Sequence, residues 1–398
     1  YVDAAPESFE QAAPLNSKGI TPTFRAEPID LGINPPLTSL VKYDAVRKRL
    51  VIGDGLNKRL LFLDDAKRVV DSITFTGPPS CIAERNGSWF VTDMGEFFPH
   101  DTAIGALRRI DWVNGSAKAT DVIAPLRRPV HVAIADLNGD KRDDYLICEF
   151  GNIKGNFGWY EVDKKGKTMY HELLGNPGAI SSVVTDLNND KRPDIVVLMA
   201  QAREGVFAFI NKGRGVFDPM PLLIFPPSYG SSSFQVVDLN GDPYPDLIVT
   251  MGDNGDYEEP PYKPYHGTYF YHGTKELEFT QVRFMPMYGA YGALFKDFDL
   301  DGTKDLLSFA FFPQLSYGDA GLIQYRPDVL RSSTLFSIDK AVTGRWLVND
   351  VADIDGDGDV DIILGNFSMG PWYLTGPIRD FWTTGGRAAI VLRNQTRP

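Results

Sequence analysis

Five short acidic loops of one register, recurring between short β-branched runs, predict an all-β fold: a seven-bladed β-propeller of four-stranded antiparallel blades. The loops are Asp136–Asp144, Asp186–Asp194, Asp238–Asp246, Asp297–Asp305 and Asp353–Asp361, and their starts lie 50, 52, 59 and 56 residues apart. Each is flanked by apolar runs bounded by turn residues, such as Ser181-Ser-Val-Val-Thr before the second loop and Ile195-Val-Val-Leu-Met after it. Such flanks read as two strands joined by the acidic loop as a hairpin. A third strand follows in each unit (Trp159-Tyr-Glu-Val, Val206-Phe-Ala-Phe-Ile, Thr268-Tyr-Phe-Tyr, Leu322-Ile-Gln-Tyr, Ala389-Ile-Val-Leu), and an outer strand precedes the next.

Two units without the acidic loop come first. One runs from Leu40-Val-Lys-Tyr through Arg49-Leu-Val-Ile-Gly to Leu60-Leu-Phe-Leu, the other from Cys81-Ile-Ala through Ser88-Trp-Phe-Val to Ala106-Leu-Arg-Arg-Ile. They bring the blades to seven, with acidic loops in blades three to seven. The last blade lacks an outer strand at its own end. Phe24-Arg-Ala-Glu-Pro-Ile-Asp-Leu stands before the first inner strand, where an outer strand belongs. The propeller is therefore expected over 24–398, closed by the N-terminal strand, which removes open sheet edges. Residues 1–23, polar and containing Pro and Ala, are expected to form a tail.

The loops also predict a cation. Oxygen side chains stand at positions 1, 3, 5 and 9: Asp136, Asn138, Asp140 and Asp144; Asp186, Asn188, Asp190 and Asp194; Asp238, Asn240, Asp242 and Asp246; Asp297, Asp299, Asp301 and Asp305; Asp353, Asp355, Asp357 and Asp361. The residues at position 7 (Arg142, Arg192, Tyr244, Thr303, Asp359) complete the five candidate metal sets. Alternating oxygens on a tight loop suit a hard cation, and Ca²⁺ tolerates the flexible geometry best. Up to five Ca²⁺ are expected. Asp- and Asn-rich turns also form without metal, because these side chains bond their own backbone. The first three loops carry Asn at position 3 and so fewer charges, which predicts weaker binding. Position 6 favours glycine, found only at Gly302 and Gly358, and Pro243 there makes the third site the weakest candidate.

These loops and flanks resemble FG-GAP/VCBS repeats, the calcium-binding blades of integrin α heads and of many secreted bacterial proteins. The resemblance covers roughly 125–395. The segment from Gly252-Asp-Asn-Gly-Asp-Tyr to Lys263-Pro-Tyr-His-Gly, with Met287-Tyr-Gly-Ala-Tyr, is similar to a bacterial VCBS subgroup. The resemblance implies fold, calcium and export, and is silent on activity.

Composition fits an exported globular protein, secreted, periplasmic or extracellular. Hydrophobic residues are 43% and charged residues 23%, enough for a large core. No apolar run reaches the length of a membrane span. The net charge of −12 argues against nucleic acid, and five Ca²⁺ would nearly cancel it. Cys81 and Cys148 read as buried thiols, with a disulfide between blades left open.

Strand direction places a ligand site. The metal loops join strands one and two at one end of every blade, so the other connections share the opposite face. That face collects His100, Arg128, His131, Tyr257, His266, Tyr288, Trp346 and Trp372. Aromatic, amide and carboxylate groups there suit a sugar or a protein. Each of these residues also has a structural reading, as a loop cap or a bond between blades. Two functions follow. One is a binding module for a glycan or protein partner, other domains or chains being compatible with it; His100, Tyr257, Trp346 and Trp372 are its ligand contacts. The other is a carbohydrate-active lyase or dehydratase, with His131, His266, Tyr288 and Arg128 as metal or base, acid and anion-holding groups and Zn²⁺ as a candidate cofactor. No nucleophile elbow, phosphate loop or dinucleotide fingerprint is present.

Overall fold

Seven four-stranded antiparallel sheets carry the chain, an all-β seven-bladed propeller as expected. The computed structural model describes residues 24–201, 203–255, 261–370 and 376–397; the expected tail 1–23 lies outside them. The last sheet runs in the order Phe24–Ile29, Ala389–Asn394, Asp361–Asn366, Trp346–Ala352. Its N-terminal strand pairs antiparallel from Phe24 with Asn394 to Ile29 with Ala389, which is the closure read from the sequence.

Second strands are the most buried elements. Asp144–Glu149, Asp194–Met199, Asp305–Ala310 and Asp361–Asn366 are covered on both faces, so behind the aspartate that opens each, their sequences are largely apolar and do not alternate. The first strands Pro129–Ala135, Ala179–Thr185 and Trp346–Ala352 are instead mostly half-buried. In six sheets the first strand carries a register shift one residue in, between Thr38/Leu40, Pro79/Cys81, Pro129/His131, Ala179/Ser181, Ala290/Gly292 and Trp346/Val348. Such a bulge turns the strand and re-aims the side chains that follow it. No sequence pattern announced it.

The chain divides into two compact units. One holds Ile73–Val249 and Phe270–Val282; the other holds the residues up to Ser72, Thr250–Tyr269 and those from Arg283 on. The first unit's core includes Phe157, Trp159, Val197 and Phe209, with a second cluster around Phe90, Leu107 and Ile147. In the second unit Phe309, Tyr325, Trp346, Trp382 and Leu392 pack together, and Tyr43, Ile52, Leu61 and Val391 form a further cluster.

Two irregular pieces were not legible in the sequence. In the sixth sheet a 3₁₀ stretch, Leu315–Gly321, precedes the third strand, and the fourth strand shrinks to Phe336–Ser337. Before the strand Ala389–Asn394 a short helix, Pro377–Thr384, drives Trp382 into the core, where its indole N–H donates to the Val342 carbonyl at 2.8 Å. Both free cysteines lie in the first unit, and no disulfide joins them. Burial raises the Cys148 thiol far above its usual range.

Candidate functional site

The five acidic loops share one backbone. The position-4 residues Gly139, Asn189, Gly241, Leu300 and Gly356 all have φ between 59° and 84°. Position 6 is also left-handed at Lys141, Lys191, Gly302 and Gly358. This bend aims the position-6 N–H at the first aspartate: Lys141 to Asp136 and Lys191 to Asp186 at 2.8 Å, Gly302 to Asp297 and Gly358 to Asp353 at 3.1 Å. Pro243 has no N–H and a fixed negative φ, so the third loop lacks this bond, as its sequence required. At position 5, Asp140, Asp190, Asp242, Asp301 and Asp357 each accept the position-7 N–H.

Position 9 has a second role. Asp144, Asp194, Asp246, Asp305 and Asp361 are wholly buried. In every loop one carboxylate oxygen accepts the position-2 N–H, from Leu137, Leu187, Leu239, Phe298 or Ile354. The other accepts a backbone N–H at the end of the third strand or just beyond it, from Val162, Asn211, Gly273, Asp328 or Asn394. The residue therefore ties the hairpin to the third strand whether or not it also touches a cation. Burial, and then the nearby charges of Asp140 and Asp136, push Asp144 up to about 6.

The loops differ in what completes their charge. Arg142 pairs with Asp140, and Arg192 with Asp190 at 2.5 Å. In the third loop the Asn240 amide donates to Asp242 at 2.7 Å. No arginine occupies position 7 of the last two loops. Asp297, Asp299 and Asp305 bring carboxylate oxygens within 4.8 Å of one another, and so do Asp353, Asp355 and Asp357. Asp359 is 1% exposed, and its Oδ1 is buried with no hydrogen-bond partner. An unpaired buried carboxylate oxygen is costly without a cation. The fourth and fifth loops thus fit a hard cation well, the first three less so.

The residues expected on the opposite face divide between the units. In the first unit, His131 Nδ1 lies 3.3 Å from the Ser182 hydroxyl, and dense surroundings lower its pKa to about 4. His100 Nδ1 accepts the Thr102 N–H. Arg128 donates to the carbonyls of Phe97 and Gly151, at 2.8 and 3.1 Å, and covers the Phe150 ring. Its guanidinium thus ties loops together. In the second unit Trp346 is fully buried with its N–H on Ala341 at 3.0 Å, so this expected ligand contact is instead a core residue. Tyr257 and Trp372 lie outside the described residues.

His266 and Tyr288 are brought together. Their rings stack at 5.3 Å, and Tyr262 stacks on the far partner at 5.6 Å. The Tyr288 hydroxyl accepts from Asn254 at 2.8 Å. His266 Nδ1 accepts the Gly289 N–H at 3.2 Å, which leaves the ring proton on Nε2. Burial, then the Lys263 charge, lower its pKa to about 3, so the imidazole is neutral at physiological pH. These residues line a cavity of about 50 Å³ together with Lys263, Gln324 and Arg326. That volume takes one small group or a few waters, not a sugar ring. The sequence flagged His266 and Tyr288, but not Gln324 and Arg326, which sit in a strand that reads only as core.

Residues 186–249, from the second acidic loop through the second strand of the fifth blade, match an FG-GAP-like repeat. No curated protein sequence matches the chain significantly. A streptogramin B lyase structure is similar over 93% of this chain and 98% of its own, with TM-score 0.55 and 11% identity. BBS1N, solved in complex with ARL6DN, is similar over 94% and 98%, with TM-score 0.54 and 9% identity. At these identities the likeness is one of fold. The chain is an all-β seven-bladed propeller, and one repeat of it, residues 186–249, is similar to FG-GAP.

Proposed function

We propose that this protein is a secreted, calcium-stabilised interaction module that holds a glycan or protein partner at the loops around His266 and Tyr288. The observation that carries the calcium half is Asp359 Oδ1, buried and unpartnered among the described residues, in a loop where the carboxylates of Asp353, Asp355 and Asp357 converge. In the fourth and fifth loops Asp297, Asp299, Asp301 and Asp305, and Asp353, Asp355, Asp357 and Asp359, would hold Ca²⁺, which would supply charge neutralisation and hairpin rigidity. The binding half is supported by how the candidate acid–base groups are engaged. Arg128, His131 and Tyr288 each bond to neighbouring protein groups, as a scaffold would have them. The propeller of BBS1N, solved with a partner protein, offers a precedent of fold only.

Elemental mass spectrometry after desalting tests this reading. Retained Ca²⁺ with no transition metal is the expected result, and His131→Ala should leave both fold and calcium content unchanged. A chain without calcium overturns it. One Zn²⁺ per chain, lost in His266→Ala, turns the reading to the lyase or dehydratase, to which the free Nε2 of His266 would then belong.

A further inference from the structure

The cavity of the second unit sets a few buried cationic and N–H donor groups into a mostly apolar lining. It lies among Tyr262–His266, Pro286–Tyr288, the 3₁₀ stretch Leu315–Gly321 and the strand Ile323–Arg326. Four of its polar side chains are more than nine-tenths buried: His266 at 1% exposure, Arg326 at 3%, Lys263 at 4% and Gln324 at 7%. None of its described lining residues is acidic. His266 presents Nε2–H, buried and without a partner. Arg326 bonds only neutral oxygens: Gln324 Oε1 at 3.1 Å and the carbonyls of Pro286 and Ser333 at 3.4 Å. Among the described residues no carboxylate pairs with it. Burial holds its pKa near 10, so it keeps its charge at neutral pH. A buried guanidinium without a counter-ion is strongly unfavourable, and a carboxylate is the group its fork matches best.

We infer that this cavity is the receptor for the carboxylate of an acidic sugar, held by Arg326 and His266 Nε2–H, with the sugar ring lying on Tyr262 at the opening. Size and shape make the choice. A volume of about 50 Å³ admits the anionic group and leaves its carrier outside. At the opening Tyr262 is 54% exposed and stacked on Tyr288, with the planes 18° apart. Such a flat aromatic ledge suits the apolar face of a sugar ring. The inference rests on the binding-module reading and names the ligand class of the same site.

The test is calorimetric titration of the calcium-loaded chain with galacturonic acid trimer, galactose trimer and a short oligoglutamate peptide. The acidic trimer should bind at least tenfold more tightly than the neutral one. Tyr262→Ala, an exposed change that leaves the fold alone, should weaken the acidic trimer several-fold. Arg326→Gln should abolish the preference for acid over neutral sugar, and acetate should compete with the acidic trimer. Should Arg326→Gln not fold, the acetate competition and Tyr262→Ala still decide. Equal binding of both trimers, preference for the peptide, or no binding of any probe overturns the inference. Equal trimers or a preferred peptide leave the interaction module standing. Calcium content, measured on the same sample, tests the scaffold separately.

Discussion

The first unit's acidic loops and the second unit's have the same backbone and different electrostatics. In both, position 4 is left-handed, position 5 accepts from position 7, and position 9 ties the hairpin to the third strand. Yet in the first unit Arg142 and Arg192 bring a guanidinium to the position-5 carboxylate, and Asn240 brings an amide to Asp242. In the second unit no arginine stands within the loops, although Arg393 reaches the fifth from outside it, 2.9 Å from Asp361 and 3.7 Å from Asp355. There the carboxylates of Asp297, Asp299 and Asp305 and of Asp353, Asp355 and Asp357 converge, and Asp359 Oδ1 has no donor among the described residues. Loop shape and cation demand are therefore separate properties of one motif. Positions 1, 4, 6 and 9 make the turn; positions 3, 5 and 7 decide whether a cation must come from solution.

The largest effect expected is that of calcium removal, and it should divide the units. Saturating Ca²⁺ at a hundred to a thousand times its Kd stabilises by about 3–4 kcal/mol per site. Asp301→Asn and Asp357→Asn should each cost one retained Ca²⁺ and that stability, while Asp140→Asn should leave the calcium content as it was. Five equivalent sites by elemental analysis would break the distinction. Next in size is the position-9 tie, which should not divide the units. Asp194→Ala leaves the buried N–H groups of Leu187 and Asn211 without their acceptor. At about 1–3 kcal/mol for each of the two unsatisfied groups, the loss is about 2–6 kcal/mol. Urea unfolding in chelator checks it, and a change under 1 kcal/mol would show that position 9 serves the metal alone.

Why the sequence showed the loops so well and the cavity so poorly has a physical answer. A loop ligand set is local: its residues share one nine-residue segment, and the type of each position is visible in the string. Pro243 could be marked as the weak position because its missing N–H is a property of the residue itself. The closing strand was legible by counting: the last blade is one strand short, and Phe24–Ile29 stands before the first inner strand where an outer strand belongs. The left-handed position 4 is signalled by Gly139, Gly241, Gly356 and Asn189, whereas Leu300 does not advertise positive φ. The cavity is non-local. Arg326 and Gln324 alternate with core residues in Ile323–Arg326, and the Leu315–Gly321 stretch that opens space beside them carries no periodic signal. Trp346 shows the converse: an aromatic at a strand start looks like a mouth residue until packing claims it.

Smaller changes sharpen the comparison from the weak side. Arg142→Gln removes the internal cation of the first loop and exposes Asp140 to solution. Because such a partly exposed pair contributes no more than about 1 kcal/mol, Ca²⁺ affinity at that loop should rise only several-fold. An unchanged affinity would mean that Asn138, and not Arg142, limits the site.

The smallest effect is at Lys191, which holds φ at 66° where the fourth and fifth loops have glycine. A non-glycine residue in the left-handed region costs about 1–2 kcal/mol, and glycine loses part of that gain through the greater freedom of the unfolded chain. Lys191→Gly should therefore stabilise the protein by roughly 0.5–1 kcal/mol, seen as a small rise in the urea midpoint at constant m-value. Gly302→Lys, at the same position in the second unit, should do the reverse by a similar amount. Equal and opposite shifts would show that the turn is one object in both units and that only its charges differ. If Lys191→Gly destabilises instead, the lysine contributes a contact that outweighs its backbone cost, and shape and charge are coupled in the first unit after all.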